Sequence, residues 1–133
     1  MSLNPELESD LRGRVAEHIL REAERNIDAL YEFIDPEIRD SRVNRFDFEP
    51  EHTINQIREY TSQIESAELV TFAIDGYTDD GGVDRGNAPT AIVLLTVRYN
   101  NRETTKDFRT PWVRRSGKWY TRATGKTCFP PTT

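Results

Sequence analysis

Cysteine and histidine are scarce in this chain of 133 residues, which has one cysteine, Cys128, and two histidines, His18 and His52. A single cysteine cannot form a disulfide bond within the chain, and so few sulfur and imidazole ligands argue against a zinc site. The sequence also lacks any run close to the roughly 18 apolar residues that a membrane-spanning helix needs. We therefore expect no metal site, no cofactor and no membrane partner.

Basic residues are fewer than acidic ones, 18 against 23, and the formal net charge is -5. This balance argues against a broad surface for nucleic acid or for an anionic membrane. Basic residues nevertheless gather in the C-terminal half among tryptophans and a tyrosine, at Arg98, Arg102, Lys106, Arg109, Arg114, Arg115, Lys118 and Arg122. Because strand alternation divides this set between two faces, an acidic small molecule or peptide is favoured there over single-stranded nucleic acid.

The length allows a single domain with its own core, which we place at about residues 7–123, followed by a short tail at 124–133. Aromatic residues make up 10% of the chain, which argues against disorder. The N-terminus lacks the basic-then-apolar order of a secretion signal, so a cytoplasmic protein is expected. The start Met1-Ser2-Leu3 leaves open a leader that has been removed.

The first half of the sequence predicts helices. Apolar residues recur every three or four positions from Leu7 to Ile34, which predicts one long helix that starts near Pro5 and stops at Asp35-Pro36. A helical turn over 36–40 and a polar loop follow, and the loop carries Phe46 and Phe48 as plugs for one end of the core. A second helix opens at Glu49-Pro50-Glu51 and has an apolar edge formed by Ile54, Ile57, Tyr60, Thr61 and Ile64.

The second half predicts strands. Residues 67–77 alternate, with Val70, Phe72 and Ile74 on one face, and residues 90–99 form a second strand. A two-residue turn at Asn100-Asn101 would place Arg98 opposite Glu103, Thr96 opposite Thr105 and Val93 opposite Phe108. Under this register, Val93, Leu95, Val97, Phe108 and Trp112 face the helices.

Residues 103–114 form the third predicted strand, which Pro111 should interrupt with a bulge or an unpaired edge. A turn at Arg115-Ser116-Gly117 leads into a fourth strand over 118–123, which pairs Arg114 with Trp119 and Val113 with Tyr120. The prediction is thus an α+β fold, with N-terminal helices packed on a four-strand, mainly antiparallel meander.

This order of elements resembles the NTF2-like superfamily, which includes nuclear transport factor 2, ketosteroid isomerase and SnoaL-like cyclases. The resemblance is carried by the helix end at residues 29–39, ALYEFIDPEIR, and by the closing hairpin at 112–120, WVRRSGKWY. It implies a cystatin-like cone in which a curved sheet wraps the first helix and leaves a pocket at the wide end. It also implies a homodimer formed through the outer sheet face.

Two sets of residues follow from this resemblance. The expected ligand pocket contains Tyr31, Phe72, Phe108 and Trp112, and suits a small apolar or acidic ligand. The expected dimer surface contains Ile92, Leu94, Arg98 and Arg109.

No motif selects catalytic residues, and we assign none. Tyr31 is the positional analogue of the phenolic donor of the isomerase, and Asp35, Asp75 and Asp107 are the carboxylates nearest to the pocket by element. Structural roles are favoured for all four: a packed tyrosine, a turn before Pro36, a solvated strand face and a partner for an arginine.

The remaining candidates also favour structural roles. His18 borders the apolar stripe of the first helix, and His52 opens the second helix, where a positive charge is unfavourable. The loop Thr78–Asp84 has three aspartates but lacks the ligand spacing of a calcium loop. Cys128 has no neighbouring base in the sequence and is expected to be an incidental thiol.

The favoured function is a dimeric, non-catalytic module that binds a ligand or a protein. The alternatives are a small cofactor-independent isomerase, dehydratase or cyclase that uses a pocket tyrosine and carboxylate, and a structural oligomerisation module. Whether at least two polar groups converge in one dry cavity distinguishes these hypotheses.

Overall fold

The computed structural model describes residues 3–39, 50–83, 87–100 and 106–122. Within these ranges the helices are α1 (Pro5–Glu24), α2 (Ile27–Phe33) and α3 (Pro50–Thr61), with one helical turn at residues 36–39. The strands are β1 (Ala67–Thr78), β2 (Thr90–Tyr99), β3 (Lys106–Arg115) and β4 (Lys118–Thr121). They pair in the order β1-β2-β3-β4, and every pair is antiparallel. The predicted α+β class and four-strand antiparallel meander are confirmed.

The prediction of one helix over residues 6–34 was wrong, because the chain breaks between α1 and α2. Arg25 takes a left-handed conformation with φ of 55°, and its Nε donates to the carbonyl oxygen of Ile64 at 2.8 Å. The Asn26 side chain then accepts the Ala29 N–H at 3.2 Å and so caps α2. The apolar spacing continues across this break, which hides it from a periodicity argument.

A bulge in β1 changes which residues face the helices. Leu69 pairs with Val97 and Thr71 with Thr96, so Val70 is the extra residue and is 42% exposed. The placement of Val70 with Phe72 and Ile74 was therefore wrong. Leu69 takes its place and packs against the core with those two side chains.

The predicted register of β2 with β3 was wrong by two residues. Val93 pairs with Thr110, and Phe108 pairs with Leu95. A shift of two preserves the faces, so the alternation in β2 is as predicted and Val93, Leu95 and Val97 are buried. The hairpin partners Glu103 and Thr105, like the plug residues Phe46 and Phe48, lie outside the described residues.

Pro111 causes no bulge, because β2 and β3 pair in continuous register on both sides of it. Its carbonyl oxygen accepts the Arg122 N–H at 3.0 Å, so its backbone polar positions face the β4 side of the strand, and the missing N–H removes no hydrogen bond to β2. Because β4 ends at Thr121, this position agrees with the other predicted alternative, an unpaired edge.

The closing hairpin was predicted correctly. Val113 pairs with Tyr120 and Arg114 with Trp119. Ser116 and Gly117 both have positive φ, 52° and 79°, as a tight two-residue hairpin turn requires.

The core lies between the helices and the inner face of the sheet. It includes three residues of the apolar edge predicted for the second helix, Ile57 and Tyr60 on α3 and Ile64 just after its end. From α1 and the sheet it includes Leu11, Val15, Ile19, Val93, Leu95, Val97, Tyr99, Trp112 and Trp119. No helix among the described residues is long and apolar enough to cross a membrane.

Candidate functional site

A buried polar site lies where α1 crosses the inner face of the sheet. The buried face of α1 carries Leu11, Val15, His18 and Glu22 at spacings of three and four residues. Glu22 is 1% exposed and His18 is 7% exposed. This helix therefore brings a carboxyl group and an imidazole into the core at adjacent turns.

Glu22 contacts hydroxyl groups rather than a basic partner at close range. The Tyr99 hydroxyl donates to Glu22 Oε1 at 3.0 Å, and Tyr60 on α3 also hydrogen-bonds the carboxyl group. Glu22 Oε2 has no hydrogen-bond partner among the described residues. In the same part of the chain, the only basic group within 4.0 Å of the carboxyl group is the imidazole of His18, with Nδ1 4.0 Å from Oε1.

Burial keeps both titratable groups of this site uncharged near neutral pH. It raises the pKa of Glu22 to about 8, against the smaller opposing effect of the Tyr99 and Tyr60 hydrogen bonds. Burial, together with the positive charge of Arg14, lowers the pKa of His18 to about 4. At pH 7 the carboxyl group is therefore mainly protonated and the imidazole neutral.

Aromatic rings hold the His18 side chain in place. Phe33 and Trp112 contact it edge to face, with ring centroids at 5.1 and 5.7 Å. The Arg14 guanidinium lies over the Phe33 ring, 3.8 Å from its centroid. Its Nε donates to the carbonyl oxygen of Trp119 at 2.9 Å. His18 is thus fixed in an apolar environment.

A cavity of about 20 Å³ adjoins the Glu22 carboxyl group. It is partly open, and its lining is His18, Ile19, Glu22, Leu95, Tyr99, Thr110, Trp112 and Thr121. The Trp112 indole N–H donates to Thr110 Oγ1 at 3.1 Å. The indole N–H therefore has its hydrogen-bond partner within the cavity wall. The enclosed space holds one water-sized group, and a larger molecule fits only if the rest of it lies at the open side of the cavity.

This arrangement can hold or move one proton. A protonated carboxyl group whose first oxygen accepts from Tyr99 has its second oxygen available as a donor. The surrounding apolar walls strengthen any hydrogen bond made there, because the local dielectric constant is low.

The predicted pocket residues fall in different places. Trp112 lines the cavity. Tyr31 and Phe72 are partly buried against the core, where Arg39 and Arg12 lie 5.2 and 4.6 Å from their ring centroids, and neither lines the cavity. The side chain of Phe108 lies outside the described residues.

The predicted dimer residues lie on the outer face of the sheet. Leu94 is 38% exposed and Ile92 is half-buried. Ion pairs join the strands there, Arg98 to Glu68 at 3.3 Å and Arg109 to Asp75 at 3.2 Å.

The other sequence candidates have structural surroundings or cannot be placed. Asp75 is on the exposed face, as predicted. Asp35 accepts the Glu37 N–H at 3.2 Å in the turn predicted before Pro36, and it also lies in a buried ion-pair network. The described part of the chain contains no cluster of three or more potential metal ligands. The side chains of His52 and Asp107, and residues Asp84 and Cys128, lie outside it.

Sequence reasoning missed Glu22, Tyr60 and Tyr99. One signal was available for Glu22, because it continues the spacing of Leu11, Val15 and His18 on the buried face of α1. The two tyrosines come from elements 38 and 77 residues further along the chain, and only the fold brings the Tyr99 hydroxyl to the carboxyl group.

No family model, curated protein or solved structure matches this chain in the comparisons made with each. The NTF2-like resemblance therefore stays a prediction based on the order of elements.

Proposed function

We propose that this chain is a non-catalytic binding module whose ligand site is the cavity beside Glu22. One observation carries the proposal: Glu22 lines a cavity, and its buried Oε2 lacks a hydrogen-bond partner among the described residues. The order of helices and antiparallel strands supports keeping the NTF2-like assignment with it.

Stability alone does not account for this carboxyl group. An unsatisfied buried polar group costs about 1–3 kcal/mol, and an apolar side chain at the same helix position would avoid that cost. Such a group in a native protein calls for an explanation. An oxygen atom in the cavity that completes the hydrogen bonding of Glu22, from a water molecule or from a ligand that displaces it, supplies one.

The two tryptophans allow a direct test. Trp112 lines the cavity, whereas Trp119 is buried and is not part of its lining. Titration with small uncharged probes, beginning with acetone and acetamide, should shift the indole N–H resonance of Trp112 in proton–nitrogen NMR spectra and leave that of Trp119 in place. Trp112→Phe and Trp119→Phe assign the two resonances. If neither probe moves the Trp112 resonance selectively, the proposal is wrong.

Acid–base catalysis is the second candidate, and the proton held by Glu22 up to about pH 8 favours it. We favour binding because it requires only one hydrogen-bonding group beside a cavity of about 20 Å³. Catalysis also requires that the reacting carbon of a substrate lies within reach of the proton-transfer group. Exchange of acetone protons in deuterated water separates the two: catalysis predicts acceleration by the native chain that Glu22→Gln abolishes, and binding predicts no acceleration.

For the outer sheet face we propose a second copy of this chain as the partner. Leu94 and Ile92 form an apolar strip on β2, flanked by the pairs Arg98–Glu68 and Arg109–Asp75. Because the face carries both signs of charge around an apolar centre, it complements itself across a twofold axis. Sedimentation analysis should give a dimer that Leu94→Glu converts to a folded monomer; a monomeric native chain contradicts this.

A further inference from the structure

We propose that the cavity selects uncharged ligands that present an acceptor oxygen to Glu22 Oε2. This inference rests on the proposed binding function and adds the chemical class of the ligand. It depends on the hydrogen-bond arrangement of the carboxyl group and on the side chains that line the cavity.

The hydrogen bonds of Glu22 determine where its proton lies. Oε1 accepts the Tyr99 hydroxyl at 3.0 Å, so the carboxyl proton is favoured on Oε2, the oxygen that lacks a partner. The group next to Oε2 must then accept a hydrogen bond. A ligand carbonyl or amide oxygen meets this requirement.

The titratable groups around the carboxyl group disfavour charged ligands. His18 approaches from α1, Tyr60 from α3 and Tyr99 from β2, and Arg14 lies beside His18. Of these, only Arg14 carries a charge at pH 7, and it does not line the cavity. An anion would therefore enter without a cationic partner in the lining, and a cation would first have to displace the proton of Glu22.

The remaining lining suits the apolar part of such a ligand. Ile19, Leu95 and Trp112 supply apolar wall, and the hydroxyl oxygen of Thr110 already accepts the Trp112 indole N–H. Specificity in small-molecule sites comes from a few polar groups within apolar walls. Here that polar group is Glu22.

Three planar probes of equal size test the charge selection. Acetone is uncharged, acetate is an anion and acetamidinium is a cation, and each has four non-hydrogen atoms. Four atoms limit the affinity to about the tens-of-micromolar range at best, and the Trp112 indole resonance can follow binding of that strength or weaker. Acetone should bind at pH 6.5, and acetate and acetamidinium should bind at least roughly tenfold more weakly.

Ionisation of Glu22 supplies the second test. With a pKa of about 8, the protonated fraction falls about 30-fold between pH 6.5 and pH 9.5, and the affinity for acetone should fall by the same factor. Glu22→Gln should retain binding at both pH values, because its amide keeps an acceptor for Tyr99 and a donor toward the cavity. Glu22→Leu should lose binding. Glu17→Gln, on the exposed side of α1, is the matched control and should behave like the native chain.

The outcomes separate the two levels of the proposal. If no uncharged probe shifts Trp112 at any pH, the binding function itself fails. If acetone binds but acetate or acetamidinium binds as well, or if Glu22→Leu retains binding while the Trp119 resonance shows an intact fold, the binding function stands and the selection by Glu22 is overturned.

Discussion

Asp35 and Glu22 are both buried carboxyl groups, and their surroundings are opposite. Asp35 is fully buried, and Arg115 binds it through two nitrogens, with Nε to Oδ1 at 2.7 Å and Nη2 to Oδ2 at 3.1 Å. Arg122 adds a third contact, from Nη1 to Oδ2 at 2.7 Å. Glu22 has only hydroxyl partners at hydrogen-bond distance, and one of its oxygens has none among the described residues.

The difference shows that burial alone does not determine the role of a carboxyl group. Asp35 joins the end of α2 to β3 and to the residue after β4, and each of its oxygens is used within the protein. This is a structural role. Glu22 keeps a hydrogen-bonding position next to a cavity, which is what a binding site needs.

The largest expected effect is the loss of stability on breaking the Asp35 network. Asp35→Asn leaves Arg115 and Arg122 without their main anionic partner, although Glu37 remains 3.4 and 3.6 Å from them. We expect the free energy of unfolding to fall by about 3–5 kcal/mol. Glu22→Gln at pH 6.5 should instead raise it by about 2–3 kcal/mol, because Glu22 is protonated in the folded chain but ionised in the unfolded one, whereas glutamine is uncharged in both. Urea unfolding followed by tryptophan fluorescence measures both, and equal losses would remove the distinction.

The next effect concerns His18 in acid. Because its pKa is lowered from 6.5 to about 4, the unfolded chain takes up the proton first, and stability is lost as the pH falls through this window. In the Glu22→Gln variant we expect a loss of about 3 kcal/mol between pH 7 and pH 4. Adding His18→Gln should remove that slope. The same slope in both variants would show that His18 does not cause it.

In the native chain, Glu22 acts in the opposite direction. Its pKa is raised from 4.5 to about 8, so its contribution is complete below pH 4.5 and is lost as the pH rises through 8. Between pH 6.5 and pH 9 the free energy of unfolding should fall by about 2 kcal/mol. Glu22→Gln should not show this decrease, and Asp35→Asn should retain it. A native chain without the alkaline decrease contradicts the raised pKa.

The smallest effect is expected on the outer sheet face, where carboxylates pair with arginines in contact with water. Removing Arg109, whose guanidinium lies 3.2 Å from Asp75, should change the free energy of unfolding by less than about 1 kcal/mol. Urea unfolding of Arg109→Ala in the Leu94→Glu background, where we expect a monomer, gives this value. A cost near that of Asp35→Asn in this monomer would mean that the ion pair is not in contact with water.

Local patterns predicted much of the fold. The hairpin of β3 and β4 followed from its turn residues, Ser116 and Gly117, because a two-residue turn sets the register of its strands. The β2–β3 pairing was wrong by two residues because the turn was centred at Asn100-Asn101. The bulge at Val70 could not be predicted, because apolar and polar residues still appear to alternate through it in the sequence.

The candidate site could be predicted only in part. His18 and Glu22 share a helix face that is visible in the sequence, yet a buried glutamate looks like a surface one until its neighbours are known. Tyr60 and Tyr99 reach it through long-range packing of α3 and β2. The resemblance pointed to Tyr31, which packs elsewhere against the core.

The ionisation state of Glu22 decides whether it can donate a hydrogen bond into the cavity. Carbon-13 NMR of the glutamate side-chain carboxyl groups can follow its titration, with the signal identified by its loss in Glu22→Gln. We expect a midpoint near pH 8 for this carboxyl group. A midpoint near pH 4.5, the ordinary value, would mean that Glu22 is a carboxylate at neutral pH and cannot donate a hydrogen bond into the cavity.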